Sequence, residues 1–135
     1  MLNTEFFTAG SELPPYLPYP RYLLKLNISM TAKAVYALLL NRTTLSQKNG
    51  WIDDCGRVYI IYTIERLAQD IGRGETAIKN AMKELEKEHL LYKKKVGFAQ
   101  PNHLYVRCDF TRPESADEDD LPALRRFLAE RTMGT

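Results

Sequence analysis

Cysteine, histidine and tryptophan are scarce in this chain, and long apolar runs are missing. Of its 135 residues, two are cysteine (Cys55 and Cys108), two are histidine (His89 and His103) and one is tryptophan. Neither cysteine sits in a CxxC pair, and the four Cys and His residues do not have the spacing of a zinc site. A disulfide framework and a structural metal are therefore not expected, and reduced thiols are. The longest apolar stretch, Val35 to Leu40, falls far short of the roughly 20 residues that a bilayer span needs. The N-terminal MLNTEFFTAG lacks a basic region followed by an apolar run, so no targeting segment is read and a cytoplasmic protein is expected. P-loop, GxGxxG and local Ser-His-Asp or Cys-His patterns are also missing. Asp53 and Asp54 stand shortly before Gly56 and read as turn formers rather than an acid/base pair. Neither catalysis nor a cofactor is expected.

What is present is the composition of a soluble globular domain, 44% hydrophobic and 27% charged, with enough chain for one core. The net charge of +2 is unevenly spread. Glu114, Asp117, Glu118, Asp119 and Asp120 make an acidic run near the C-terminus, whereas between Arg73 and Arg107 eight Lys or Arg outnumber four Glu. A basic excess of this kind favours a phosphate backbone as partner.

Along the chain, ELPPYLPYPRYLL carries Pro14, Pro15, Pro18 and Pro20, which obstruct helix, so residues 1–29 are expected to form an extended arm packed on the domain. SMTAKAVYALLLNRTTLS predicts a first helix capped by Thr31. Trp51 to Asp53 and Val58 to Tyr62 read as a hairpin or pair of strands. YTIERLAQDIG predicts a second helix between an N-cap at Thr63 and a stop at Gly72. Across Gly72-Arg73-Gly74 a third helix starts at Glu75 and is expected to run to about His89. LLYKKK and NHLYVR then read as two strands around a loop with Gly97 and Pro101. The order is helix, strand, helix, helix, strand, wing, strand, which predicts an α+β winged helix-turn-helix over residues 30–110. Residues 111–135 read as an acidic linker and a short amphipathic helix with Leu121, Leu124, Phe127 and Leu128 on one side.

On a helical wheel, Ile78, Ala81, Met82 and Leu85 share the core side of the third helix, and His89 continues that arc. Thr76, Asn80, Lys83 and Lys87 lie opposite, flanked by Arg73 and Lys79. In helix-turn-helix docking the N-terminal part of the second helix reaches base edges. These side chains are chemically suited to reading them, since Asn can pair with adenine, Lys or Arg with guanine or phosphate, and a Thr methyl with thymine. The alternative is a merely solvated face, but Lys79 and Lys83 are spaced to repel rather than stabilise one another. Lys93, Lys94 and Lys95 climb the first strand of the hairpin, and the wing carries Gln100 and Asn102. Together helix and wing form a phosphate clamp on duplex DNA, against the blander reading of a lysine-protected strand edge. Trp51, Tyr36, Tyr59 and Tyr62 could make a stacking platform for single strands, though their apolar neighbours favour packing.

The segment from Pro18 to Val106, and most specifically LSQKNGW, DDCGRVYIIYTIE and PNHLYV in that order, resembles the N-terminal domain of the RepA_N family of plasmid replication initiators. The resemblance implies a winged-helix domain that binds repeated sites in double-stranded origin DNA, usually as a homodimer. It further implies a separate C-terminal domain that engages the replication machinery, for which 135 residues leave no room. Carried over, the recognition helix is Glu75 to His89 and the wing Lys94 to Asn102. Val96, Phe98 and Ala99 depart from the Arg- and Gly-rich wing common in the family. The arm before Tyr22 and the strands near Trp51 are candidate dimer surfaces. A transcription regulator on the same fold and a protein-docking winged helix that binds no DNA are the alternatives.

Overall fold

In a computed structural model, residues 2–111 are described. They comprise a 3-10 turn at Arg21–Lys25, three α-helices (α1, Met30–Lys48; α2, Ile64–Ile71; α3, Glu75–Lys87) and two strands (β1, Leu91–Lys94; β2, His103–Val106). The architecture is α+β: three helices with a two-stranded antiparallel sheet.

Helix α1 begins at Ser29, whose Oγ accepts from the Ala32 N–H (3.1 Å). The expected cap at Thr31 is thus two residues late. Ser29 wins because Glu84 of α3 reaches it twice: the Ser29 N–H donates to Glu84 Oε1 (3.0 Å) and its hydroxyl to Oε2 (2.6 Å). Ala32, Val35, Tyr36 and Leu39 recur at helical spacing and are fully buried. They pack with Leu23, Ile60, Leu67, Ile78, Leu85, Leu90, Leu91 and Leu104 in one core.

Of the strands expected between α1 and α2, only isolated antiparallel bridges form, Ile52 with Val58 and Ile60 with Leu104. The turn between Ile52 and Val58 is built by Asp53, whose N–H donates to the Arg57 carbonyl (2.9 Å) and whose Oδ1 accepts from the N–H groups of Cys55 and Arg57 (2.9 Å each). This confirms Asp53 as a turn former. Ile60 exchanges both backbone hydrogen bonds with Leu104 (2.9 and 2.8 Å), which sets the chain alongside β2.

Helix α2 is capped by Thr63, which accepts from the Arg66 N–H (3.1 Å), and ends on Gly72 in the left-handed region at φ 75°. That conformation favours glycine. Helix α3 stops at Lys87 rather than His89. His89 is exposed and has φ 60°, so it is not part of the core arc. The left-handed residue turns the chain sharply enough to carry Leu90 and Leu91 inward, with the Leu90 N–H donating to the Leu85 carbonyl (2.9 Å).

Among the described residues, the arm expected over residues 1–29 packs on the domain only in its last part, where Leu23 is buried and Tyr22, Leu26 and Ile28 lie against the core. Leu2, Phe6, Phe7, Leu13 and Tyr16 are exposed, and burial starts only with Leu23. The prolines hold this stretch extended and remove N–H donors, and its apolar side chains have no periodicity that could face the core. The linker and short helix expected beyond Thr111 lie outside the described residues.

Candidate nucleic-acid interface

Two glycines shape the approach to α3. Gly72 closes α2, with its N–H donating to the Ala68 carbonyl (2.9 Å), and Gly74 occupies the N-cap of α3 without a side chain to satisfy the first turn. Arg73 sits exposed between them. Downstream, Ile78, Ala81, Met82 and Leu85 bury one side of α3. A helix that commits those positions to the core must present the others together. Thr76, Lys79, Asn80, Lys83 and Lys87 are all exposed. Among the described residues, no carboxylate lies within ion-pair distance of Arg73 or of these lysines.

Two of the three glutamates of α3 are drawn elsewhere, while Glu75 is exposed in its first turn. Glu84 is held by Ser29 at the start of α1, and Glu86 pairs with Lys93 at 3.3 Å. Glu84 and Glu86 are thereby kept off the basic face.

The hairpin distributes its lysines differently. In the register, Leu91 faces Val106, Tyr92 faces Tyr105, Lys93 faces Leu104 and Lys94 faces His103. Successive strand residues point to opposite faces, so Lys93 shares the side of Leu91 and Leu104, while Lys94 lies on the side of Tyr92, His103 and Tyr105. Lys95 falls beyond the end of β1. The three lysines are exposed but do not form one stripe, and Lys93 already has a partner in Glu86. Gln100 and Asn102 are exposed in the loop, where the Gln100 N–H donates to the Gly97 carbonyl (3.3 Å) and Phe98 is 97% exposed.

Sequence reasoning missed what fixes these elements. Tyr59 stacks on His103 with ring centroids 4.3 Å apart, and the Tyr105 hydroxyl donates to Asp53 Oδ2 (3.0 Å). These contacts tie the 52–58 hairpin to β2. The Arg57 backbone N–H, with the Tyr105 hydroxyl and Cys55 N–H behind it, lowers the Asp53 carboxyl below its ordinary range. On the other side, Arg42 of α1 lies 5.0 Å from the Tyr62 ring centroid. The Tyr62 hydroxyl donates to Asp70 of α2, which also pairs with Arg66 at 3.5 Å. Burial and the Asp70 carboxylate push the Tyr62 hydroxyl up to about 12. Partners as far apart as Tyr59 and His103, or Asp53 and Tyr105, leave no local signal.

Of the aromatic residues considered as a stacking platform, Trp51 and Tyr59 are neighbours with ring centroids 6.0 Å apart, whereas Tyr36 and Tyr62 make other contacts. Tyr36 is buried and donates to the Arg107 carbonyl (2.7 Å) while hydrogen bonding with Tyr22. Tyr59 is covered by His103 and Tyr62 by Arg42. Among the described residues, no helix is long and apolar enough to cross a membrane.

Solved structures similar to the chain include the following three. One described as "N-Terminal domain of DNA binding protein" is 26% identical with a TM-score of 0.64, the match covering 82% of this chain and 88% of that one. One described as "Structure of Rep-DNA complex" is 25% identical with a TM-score of 0.65, covering 86% and 93%. A third, "Structure of MDR initiator", is 30% identical with a TM-score of 0.62, covering 88% and 98%. No curated protein sequence matches. The sequence profile of the replication initiator protein A (RepA) N-terminus matches residues 18–117, and the chain belongs to that family.

Proposed function

We propose that the chain is a winged helix-turn-helix domain that binds double-stranded DNA sequence-specifically, at repeated sites of a replication origin. The observation that carries this reading is the exposed face of α3, where Thr76, Lys79, Asn80, Lys83 and Lys87 follow Arg73 of the preceding turn, the basic ones without a carboxylate in ion-pair distance among the described residues. Family membership and likeness to a solved Rep-DNA complex support it.

In this reading α2 and α3 are the helix-turn-helix and α3 enters the major groove. Its N-terminal half brings Thr76, Lys79, Asn80 and Lys83 to base edges, with Asn80 placed for a bidentate contact to adenine. Arg73 and the uncapped first turn of α3 suit a backbone phosphate. The loop after β1 is the wing, with Lys94, Lys95, Gln100 and Asn102 on adjacent phosphates and Lys93 joining them only by releasing Glu86. Two copies on two half-sites supply the specificity that one small domain lacks. The domain acts by binding, without a catalytic step.

Footprinting on the replicon's origin tests the reading. Protection of repeated sites, weakening steeply with salt, is expected. Protection of one isolated palindrome over a promoter points instead to a transcription regulator. Salt-insensitive association, or none, refutes the DNA interface.

A further inference from the structure

An open groove of about 1180 Å³ runs between the C-terminal half of α1 and the sheet. Leu40, Val58, Leu91 and Val106 give it an apolar lining, none of them exposed. Arg57 and Arg107 line it too, without a carboxylate in ion-pair distance among the described residues. The lining holds one acidic side chain, Glu86, and Lys93 already occupies it. The groove therefore matches a segment that is apolar on one side and acidic.

The chain itself leaves the domain along this groove. Arg107 is tied to the start of β1 through its N–H to the Leu90 carbonyl (2.9 Å), and Cys108 and Phe110 are part of the lining. Just past Thr111 the sequence supplies Glu114, Asp117, Glu118, Asp119 and Asp120, and then Leu121, Leu124, Phe127 and Leu128.

We propose that residues 113–128 of this chain dock in the groove, with their carboxylates on Arg57 and Arg107 and their apolar side chains on Leu40, Val58 and Val106. Continuity favours this occupant over any other, because Cys108 and Phe110 line the groove just before residue 113 and Phe110 is left 86% exposed there. Reach permits it: the chain between Thr111 and Leu121 extends to about 33 Å, ample to turn back. Attachment also sets an effective concentration on the order of millimolar, so a weak contact is populated without help from a second molecule. Bound there, the acidic run lies next to Lys93 and competes with phosphate for it. That competition rests on the DNA-binding reading; docking does not, so the two fail separately.

Amide correlation spectra of the isotope-labelled full chain are compared with those of a Leu124→Ser, Phe127→Ser double variant, which leaves net charge unchanged. Docking predicts that the peaks of Val58, Leu91, Val106 and Arg107 move, while those of Ala32 and Ile78, in the N-terminal halves of α1 and α3, stay in place. Groove peaks that coincide in the two spectra overturn the proposal. So do groove peaks that move with protein concentration in the wild type, since they identify a second copy as the occupant.

Discussion

Helix α3 and the β1–β2 hairpin both carry clustered basic residues, yet they present them in opposite ways. In α3, four buried side chains fix the rotation of the helix, and everything at the complementary spacing emerges on one face. In β1, the pleat separates neighbours: Lys93 turns under toward Glu86, and Lys94 turns out beside His103. Residues spaced by three and four on a helix act together, whereas residues adjacent on a strand do not. Under the proposed DNA-binding function, the helix would read bases and the hairpin would contribute isolated charges.

The comparison is broken most severely through the core. Leu85→Ala removes a fully buried side chain and is expected to cost about 2–5 kcal/mol of stability, measured by denaturant unfolding. Lys83→Ala, on the other side of the same helix, is expected to change stability by no more than about 0.5 kcal/mol. Equal losses would mean that α3 is not anchored by one side alone.

A smaller effect tests the second anchor of α3. Ser29→Ala removes both the cap of α1 and the hydroxyl held by Glu84, with an expected loss of about 0.5–2 kcal/mol. If that loss is unchanged in a Glu84→Gln background, the two groups are not coupled, which a double-mutant cycle reads directly.

The hairpin is sharpened by comparing its own lysines. Each phosphate that a lysine neutralises steepens the fall of log K with log salt by about 0.9. Lys94→Ala is expected to make the slope shallower by that amount, and Lys93→Ala by less, because Lys93 must first give up Glu86. The same slope change in both would show that the pair at 3.3 Å does not restrain Lys93.

The smallest effect lies at alkaline pH. The Tyr62 hydroxyl is raised from its ordinary value of about 10 to about 12 in the folded chain. Its proton therefore stabilises the fold fully below the unfolded value, and this contribution is lost as pH rises through the folded one. Tyr62→Phe is expected to flatten the stability profile between those limits; an identical profile would remove Tyr62 from the alkaline transition.

Much of the helical framework was legible because its signals are local. Thr63 and Gly72 bound α2, and the spacing of Ile78, Ala81, Met82 and Leu85 set the rotation of α3 and thereby its exposed face. The errors arose where a distant partner decided. Glu84, 55 residues away, moves the α1 cap to Ser29. A left-handed His89 ends α3 early so that Leu90 and Leu91 can be buried. The strand near Ile60 reduces to a bridge with Leu104, a partner so far along the chain that the sequence near Ile60 does not reveal it. The arrangement of the lysine run was illegible for a different reason, since its sequence does not reveal which members the pleat turns toward Glu86.

The division between reading helix and neutralising hairpin is tested most directly by one set of anisotropy titrations. Wild type, Asn80→Ala and Lys94→Ala are each titrated with a duplex carrying the footprinted origin site and with a scrambled duplex at the same salt. Asn80→Ala is expected to lose about 1–3 kcal/mol on the site alone, and Lys94→Ala to weaken both duplexes equally. An Asn80→Ala loss shared by both duplexes would contradict base reading by α3.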